Sequence, residues 1–268
     1  MIELKTPDEI DAMAEAGAVV ARALAAAREH AAIGVSLKEL DQVAAEVITS
    51  SGATSPFLNY HPSWAPTPFP GVICASVNDA IVHGVPGDYR LADGDLVSID
   101  CGAKLNGWCG DSAISFTVGT AREADVKLSR DTRAAMAAGI AAARPGNRIG
   151  DIGAAIAAIG RGNGYGMTEG WGGHGVGHDM HEPPHVPNEN RTGYGPRLKP
   201  GLVIAIEPMF TAGGDDGFAT DPDGWTLRTT DGTRAAHWEH TIAITPEGPR
   251  LLTVDIAAGD DPFDLSTV

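Results

Sequence analysis

The sequence predicts an α+β fold built from two similar α/β halves that face one shared cluster of carboxylates. Three observations predict it. Two helix-like stretches followed by strand-like stretches run through the chain twice over. The segment Leu91-Ala-Asp-Gly94-Asp-Leu-Val-Ser-Ile99-Asp100 aligns without gaps to Leu198-Lys-Pro-Gly201-Leu-Val-Ile-Ala-Ile206-Glu207, with Leu, Gly and Ile matched and an acid closing both. In the same order, Asp111-Ser-Ala-Ile114-Ser-Phe-Thr117 aligns to Glu239-His-Thr-Ile242-Ala-Ile-Thr245, an acid leading each apolar strand. A fainter echo pairs Gly34-x-x-Leu-x-Glu-Leu with Gly146-x-x-Ile-x-Asp-Ile.

Each element has a local reason. Thr6-Pro7-Asp8-Glu9 sets a capping residue, a proline suited to the first helical position and the acid that closes a capping box, so an Ala-rich helix is predicted to about residue 31. Ser36-Leu37-Lys38-Glu39 repeats the device and opens a helix to about Thr49. The Pro- and Trp-rich stretch 56–70 cannot be regular and reads as a long loop. Strands are predicted near 71–77, 95–101 and 110–118. Helices follow at 121–143 and 149–163, then strand-like runs at 202–210 and 238–244. The expected organisation is a single catalytic domain over 1–268, with halves of about 1–120 and 121–255 and a tail at 256–268.

The chain carries 35 acidic against 19 basic residues, a formal charge of −16. That balance argues against direct, nonspecific nucleic-acid binding, which needs clustered Lys and Arg, and against docking to anionic lipid. The three cysteines, Cys74, Cys101 and Cys109, lack zinc-knuckle spacing and are odd in number, which fits a reducing, cytoplasmic setting. The first apolar stretch is broken by Glu9, Asp11 and Glu15, so no signal peptide is expected, and no run is long enough for a membrane span.

The carboxylates carry the chemistry. Asn106-Gly107 is a two-residue hairpin signal. With that turn, Asp111 falls opposite Gly102 and Asp100 opposite Ala113. Both aspartates then share one face, roughly 7–8 Å apart on the diagonal. Glu207 ends the apolar run from Leu202 to Ile206, where a lone charge is costly. Four carboxylates in apolar surroundings call for cations. The segment Gly172-Gly-His174-Gly-Val-Gly-His178-Asp-Met-His181-Glu-Pro-Pro-His185 brings imidazoles into play. One neutral imidazole with four carboxylates makes an N/O set suited to Mn, Fe, Co or Zn.

These residues together resemble the type I methionine aminopeptidases of bacterial type, metallopeptidases with the pita-bread fold. The resemblance runs from Lys5 to about Leu252. It rests on Ser76-Val-Asn78-Asp-Ala-Ile-Val-His83-Gly-Val-Pro86, Ile99-Asp100, Gly110-Asp111, Gly173-His174-Gly-Val-Gly, Met180-His181-Glu182-Pro183, Glu207-Pro208-Met209, Asp223-Gly224-Trp225-Thr226 and Glu239-His240-Thr241. It implies two divalent ions held by Asp100, Asp111, His174, Glu207 and Glu239, with Asp111 and Glu239 bridging. It implies Glu207 as general base then acid, His181 at the carbonyl oxygen and His83 at the scissile nitrogen. It suggests Tyr60, Phe69, Cys74, Met180 and Trp225 as walls of a methionine pocket, and a monovalent cation near the backbone of Asn78 and Ala80. The implied substrates are nascent peptide N-termini, met at the ribosome; a monomer is expected.

The chain departs from many bacterial members in the longer Tyr60–Phe69 loop with its Trp64 and extra prolines, in Met180 where an aromatic is common, and in His178 and His185, which have no assigned role. Two other readings stand beside this one. A proline-directed peptidase of the same superfamily would share the ligands, but Glu207-Pro-Met rather than Glu-Pro-Gly favours the methionine enzymes. A metal-free pita-bread binding protein would lack ligands that are all present here.

Overall fold

The computed structural model describes residues 2–254. The expected tail at 256–268 lies outside them. Helices α1 (Pro7–His30) and α2 (Leu37–Ser50) begin at the two expected capping boxes. Thr6 and Ser36 each accept from the backbone N–H three residues on, while Glu9 and Glu39 reach back to the capping residues' own N–H groups. Strands β1 (Ile73–Val77), β2 (Ala80–Val82), β3 (Asp95–Leu105) and β4 (Trp108–Val118) complete the first half. Helices α3 (Glu123–Ala142) and α4 (Ile149–Gly162) open the second. After them come β5 (Gly166–Met167), β6 (Gly172–Gly175), β7 (Glu182–Pro187), β8 (Val203–Ile206), β9 (Met209–Thr211), β10 (Phe218–Thr220), β11 (Leu227–Thr229), β12 (Ala235–His237), β13 (Glu239–Thr245) and β14 (Gly248–Leu251).

The main sheet runs β1-β3-β4-β13-β8-β6-β7, antiparallel throughout, with β14 beside β13. The aligned segments therefore occupy mirrored places: β3-β4 on one side of the centre, β13-β8 on the other. The seam is the β4–β13 pairing of Glu239 with Ala113 and His240 with Ser112. Side chains reinforce it. Thr241 Oγ1 accepts from Asp111 N–H and donates to Asp111 O, and Ser112 Oγ donates to Glu239 O.

Two large apolar clusters lie under the two helix pairs. One joins Val20, Leu24, Leu40 and Ile48 to Ile73, Val97 and Ile99, and the other joins Met136, Ile140, Ile152 and Ile156 to Ile204, Ile206 and Ile242. Helix α1 comes unusually close to the sheet, because a Cβ on Gly110 would lie 2.9 Å from Gly17 Cα. Only two facing glycines allow that approach. The expected strand 202–210 is broken into β8 and β9, because Pro208 has no N–H for a ladder bond.

Candidate metal centre and substrate cavity

The β3–β4 register pairs Asp100 with Ala113 and Asp111 with Gly102, as the Asn-Gly turn predicts. Asp100 and Asp111 thus point to one face of the hairpin. Glu207 follows β8 and Glu239 opens β13, so the other two carboxylates come from the mirrored strands. His174 sits on β6, the next strand out. Its Nδ1 donates to Gly175 O at 2.9 Å, which leaves the Nε2 lone pair free. That Nε2 stands 3.6 Å from both Asp111 Oδ2 and Glu207 Oε1.

These acids are buried and crowded. Burial drives the carboxyls of all four above their ordinary range, and the nearby Asp111 adds repulsion at Asp100, Glu207 and Glu239. Asp100 Oδ1, Asp111 Oδ1 and Glu239 Oε1 are buried without a hydrogen-bond partner. Such oxygens are expensive unless a cation meets them. Asp111, His174 and Glu239 offer ligand atoms within 4.8 Å of one another, as do Glu207, His237 and Glu239. The donor set fits divalent metal.

Burial keeps the imidazoles beside the carboxylates neutral. Burial lowers His174, takes His181 to about 3 with help from His174, and takes His83 to about 4 with help from His181. His174 and His181 lie with ring centroids 4.3 Å apart, and Tyr60 stacks on His181 at 5.3 Å. A cavity of about 340 Å³ opens from the carboxylates, and Tyr60, Phe69, Cys74, His83, His181 and Trp225 all line it. Burial pushes the Cys74 thiol well up, so it stays protonated and apolar.

Not every residue flagged by the sequence reaches the cavity. Met180 is buried in the apolar cluster with Phe57, Phe69 and Trp225 and is not among the residues that line the cavity. His178 stacks on Trp108 with centroids 3.7 Å apart and bonds Gly107 O through Nδ1, which secures the hairpin turn. His185 lines the cavity, as do Trp64 and Trp171.

His237 was missed by sequence reasoning. It lies at the end of β12, paired with Met209, and is buried. Its partnerless Nε2 is 3.7 Å from Glu207 Oε2 and 3.9 Å from Glu239 Oε2. The available signal was its position two residues before Glu239, which on a strand is the same face.

Residues 11–246 match the model of metallopeptidase family M24. The chain belongs to that family. Within it, the chain is 51% identical to methionine aminopeptidase 1 of Mycobacterium tuberculosis, over 95% of this chain and 96% of that one. It is 45% identical to methionine aminopeptidase 1 of Bacillus subtilis, over 94% and 99%. The crystal structure of methionine aminopeptidase from Rickettsia prowazekii superposes with a TM-score of 0.90 at 35% identity, covering 95% of this chain and all of that one. The fold is accordingly the pita-bread fold of those enzymes. The prolidase from Pyrococcus horikoshii shares it less closely, with a TM-score of 0.73 at 26% identity over 63% of its own length.

Proposed function

We propose that this chain removes the N-terminal methionine from nascent polypeptides whose second residue is small, using divalent metal held by Asp100, Asp111, His174, Glu207 and Glu239. The observation that carries the reading is the meeting of these five side chains at the head of one aromatic-lined cavity. We infer two ions, which the five residues would hold with Asp111 and Glu239, the acids flanking the seam, serving both; Asp100, Asp111 and Glu239 each leave a buried oxygen unsatisfied. Bound divalent ions supply Lewis acidity toward water and the scissile carbonyl.

The chain's own groups do the rest. Glu207 takes a proton from the attacking water and delivers it to the leaving amine, so water adds across the peptide bond as the C–N bond breaks. Burial, with Asp111 and Asp100 nearby, raises its carboxyl above the usual glutamate range. His181 is neutral and keeps an N–H for the carbonyl oxygen as charge grows there. His83 stands at the scissile nitrogen. Tyr60, Phe69, Cys74 and Trp225 receive the methionine side chain and shield it from bulk solvent.

The same reading treats the chain as one catalytic domain with halves near 1–120 and 121–255, acting as a monomer on nascent chains in the cytoplasm. Among the described residues no helix is long and apolar enough to cross a membrane. A monovalent cation near Asn78 and Ala80 belongs to this proposal too; Asn78 O already accepts the N–H of Ala235, which leaves one lone pair for it. Hydrolysis of Met-Ala-Ser, Leu-Ala-Ser and Ala-Pro peptides by enzyme stripped and refilled with Mn, Fe, Co or Zn tests the function. Turnover confined to Met-Ala-Ser supports it, whereas preference for Ala-Pro returns the chain to the proline peptidases.

A further inference from the structure

The long loop between Tyr60 and Phe69 is a built element. Its neck is closed by Asn59 N–H to Phe69 O and Phe69 N–H to Tyr60 O, both 2.9 Å. Inside it, Ala65 N–H donates to Pro62 O, and His61 Nε2 donates to Ala65 O at 3.1 Å. Its far side is tied to the pocket wall, because Trp225 Nε1 donates to Thr67 O at 2.9 Å. Pro66 presses against Gly224, where an added Cβ would lie 2.2 Å from Pro66 Cγ. Pro62, Pro66 and Pro68 fix three backbone angles. The loop therefore has little freedom to swing away.

What it carries is Trp64. The indole is 52% exposed, yet its inner side lines the cavity. Its ring lies over His83 at 6.3 Å with 22° between planes. It meets Trp171 edge-on at 5.9 Å and Trp225 at 5.0 Å. Trp225 belongs to the wall that receives methionine. His83 stands where the scissile nitrogen lies in the proposed reaction, so Trp171 and the outer face of Trp64 border the route taken by the second residue. The indole thus straddles the boundary between the two side-chain positions.

We propose that Trp64 is a specificity-determining residue: a fixed aromatic roof over His83 that narrows the space for the second residue of the substrate. This deepens the proposed function and rests on it. A rigid wall discriminates by size, and one extra methylene against such a wall is worth about 10–200-fold in kcat/KM. With Trp64 in place, Gly, Ala and Ser fit beside His83, and Val and Leu meet the indole.

The test is kcat/KM for Met-Gly-Ser, Met-Ala-Ser, Met-Val-Ser and Met-Leu-Ser with metal-loaded wild type, Trp64→Ala and Trp64→Phe. The ratio of Met-Val-Ser to Met-Ala-Ser should rise by about 10-fold or more in Trp64→Ala, with Trp64→Phe between. An unchanged ratio, a fallen ratio, or a parallel loss on every peptide overturns the proposal while leaving the methionine reading intact. Failure of the wild type to cleave any of the four peptides would instead overturn the function and this inference with it.

Discussion

Glu207 faces His237 across 3.7 Å, nearly the distance that separates it from His174 on its other side. One carboxylate is thus bracketed by two neutral imidazoles, His237 being lowered to about 3 by burial and then by His83. Replacing His237 by Ala is expected to weaken divalent-metal binding by about 10–100-fold, the usual cost of losing a group that orients or joins a ligand set. Calorimetric titration of the stripped protein with Mn or Zn measures it. Unaltered affinity would reduce His237 to packing.

Asp111 and Glu239 are the two acids that flank the seam. Asp111→Asn or Glu239→Gln should lower the metal content by one ion per chain. Turnover should then fall by more than about 100-fold, beyond what loss of an outer-shell partner costs. Elemental analysis alongside kinetics decides this, and near-normal turnover in either variant would sink the shared-ligand model.

His181 is stacked on Tyr60 and aimed at the space before the carboxylates. His181→Ala should reduce kcat by about 10²–10³-fold with little change in KM, since in the proposed reaction its hydrogen bond strengthens only as the carbonyl gains charge. A rise in KM alone would assign it to substrate binding.

His83 titrates at about 4 because it is buried, so in acid the folded chain resists a proton that the unfolded chain accepts near 6.5. Stability linked to His83 is therefore complete above pH 6.5 and declines as pH falls toward 4. Relative to His83→Gln, the wild type should lose about 2 kcal/mol between pH 7.5 and 4.5. Thermal unfolding of both proteins across that range reports the difference, and parallel Tm curves would mean that His83 is solvated.

Much of this architecture could be read from the chain because local rules dominate there. The capping boxes at Thr6 and Ser36 depend on residues three apart, and the Asp100–Asp111 face depends on the Asn106-Gly107 turn alone. The four acids of the candidate centre fall on or at the ends of strands whose repeats betray them, while His174 was legible only from its Gly- and His-rich segment. His237 escaped because β12 is three residues long and exists only through its pairing with β9. The seat of Trp64 escaped because it is set by Thr67, Gly224 and Trp225, contacts that join residues about 160 apart in sequence. Met180 was open to both a wall and a core reading, because chain position near His181 does not say how far into the apolar cluster a side chain packs.

The seam between β4 and β13 has a further consequence. Asp111 reaches in from one half and Glu239 from the other, beside only two paired backbone positions. In the proposed centre a cation held by both would act as a clasp between the halves, and its binding free energy would add to the stability of the whole chain. Without it, four repelling carboxylates press on the same joint. Loss of the cation would therefore loosen the fold as well as silence the site, so the stripped chain is expected to unfold at a lower temperature than the metal-loaded one.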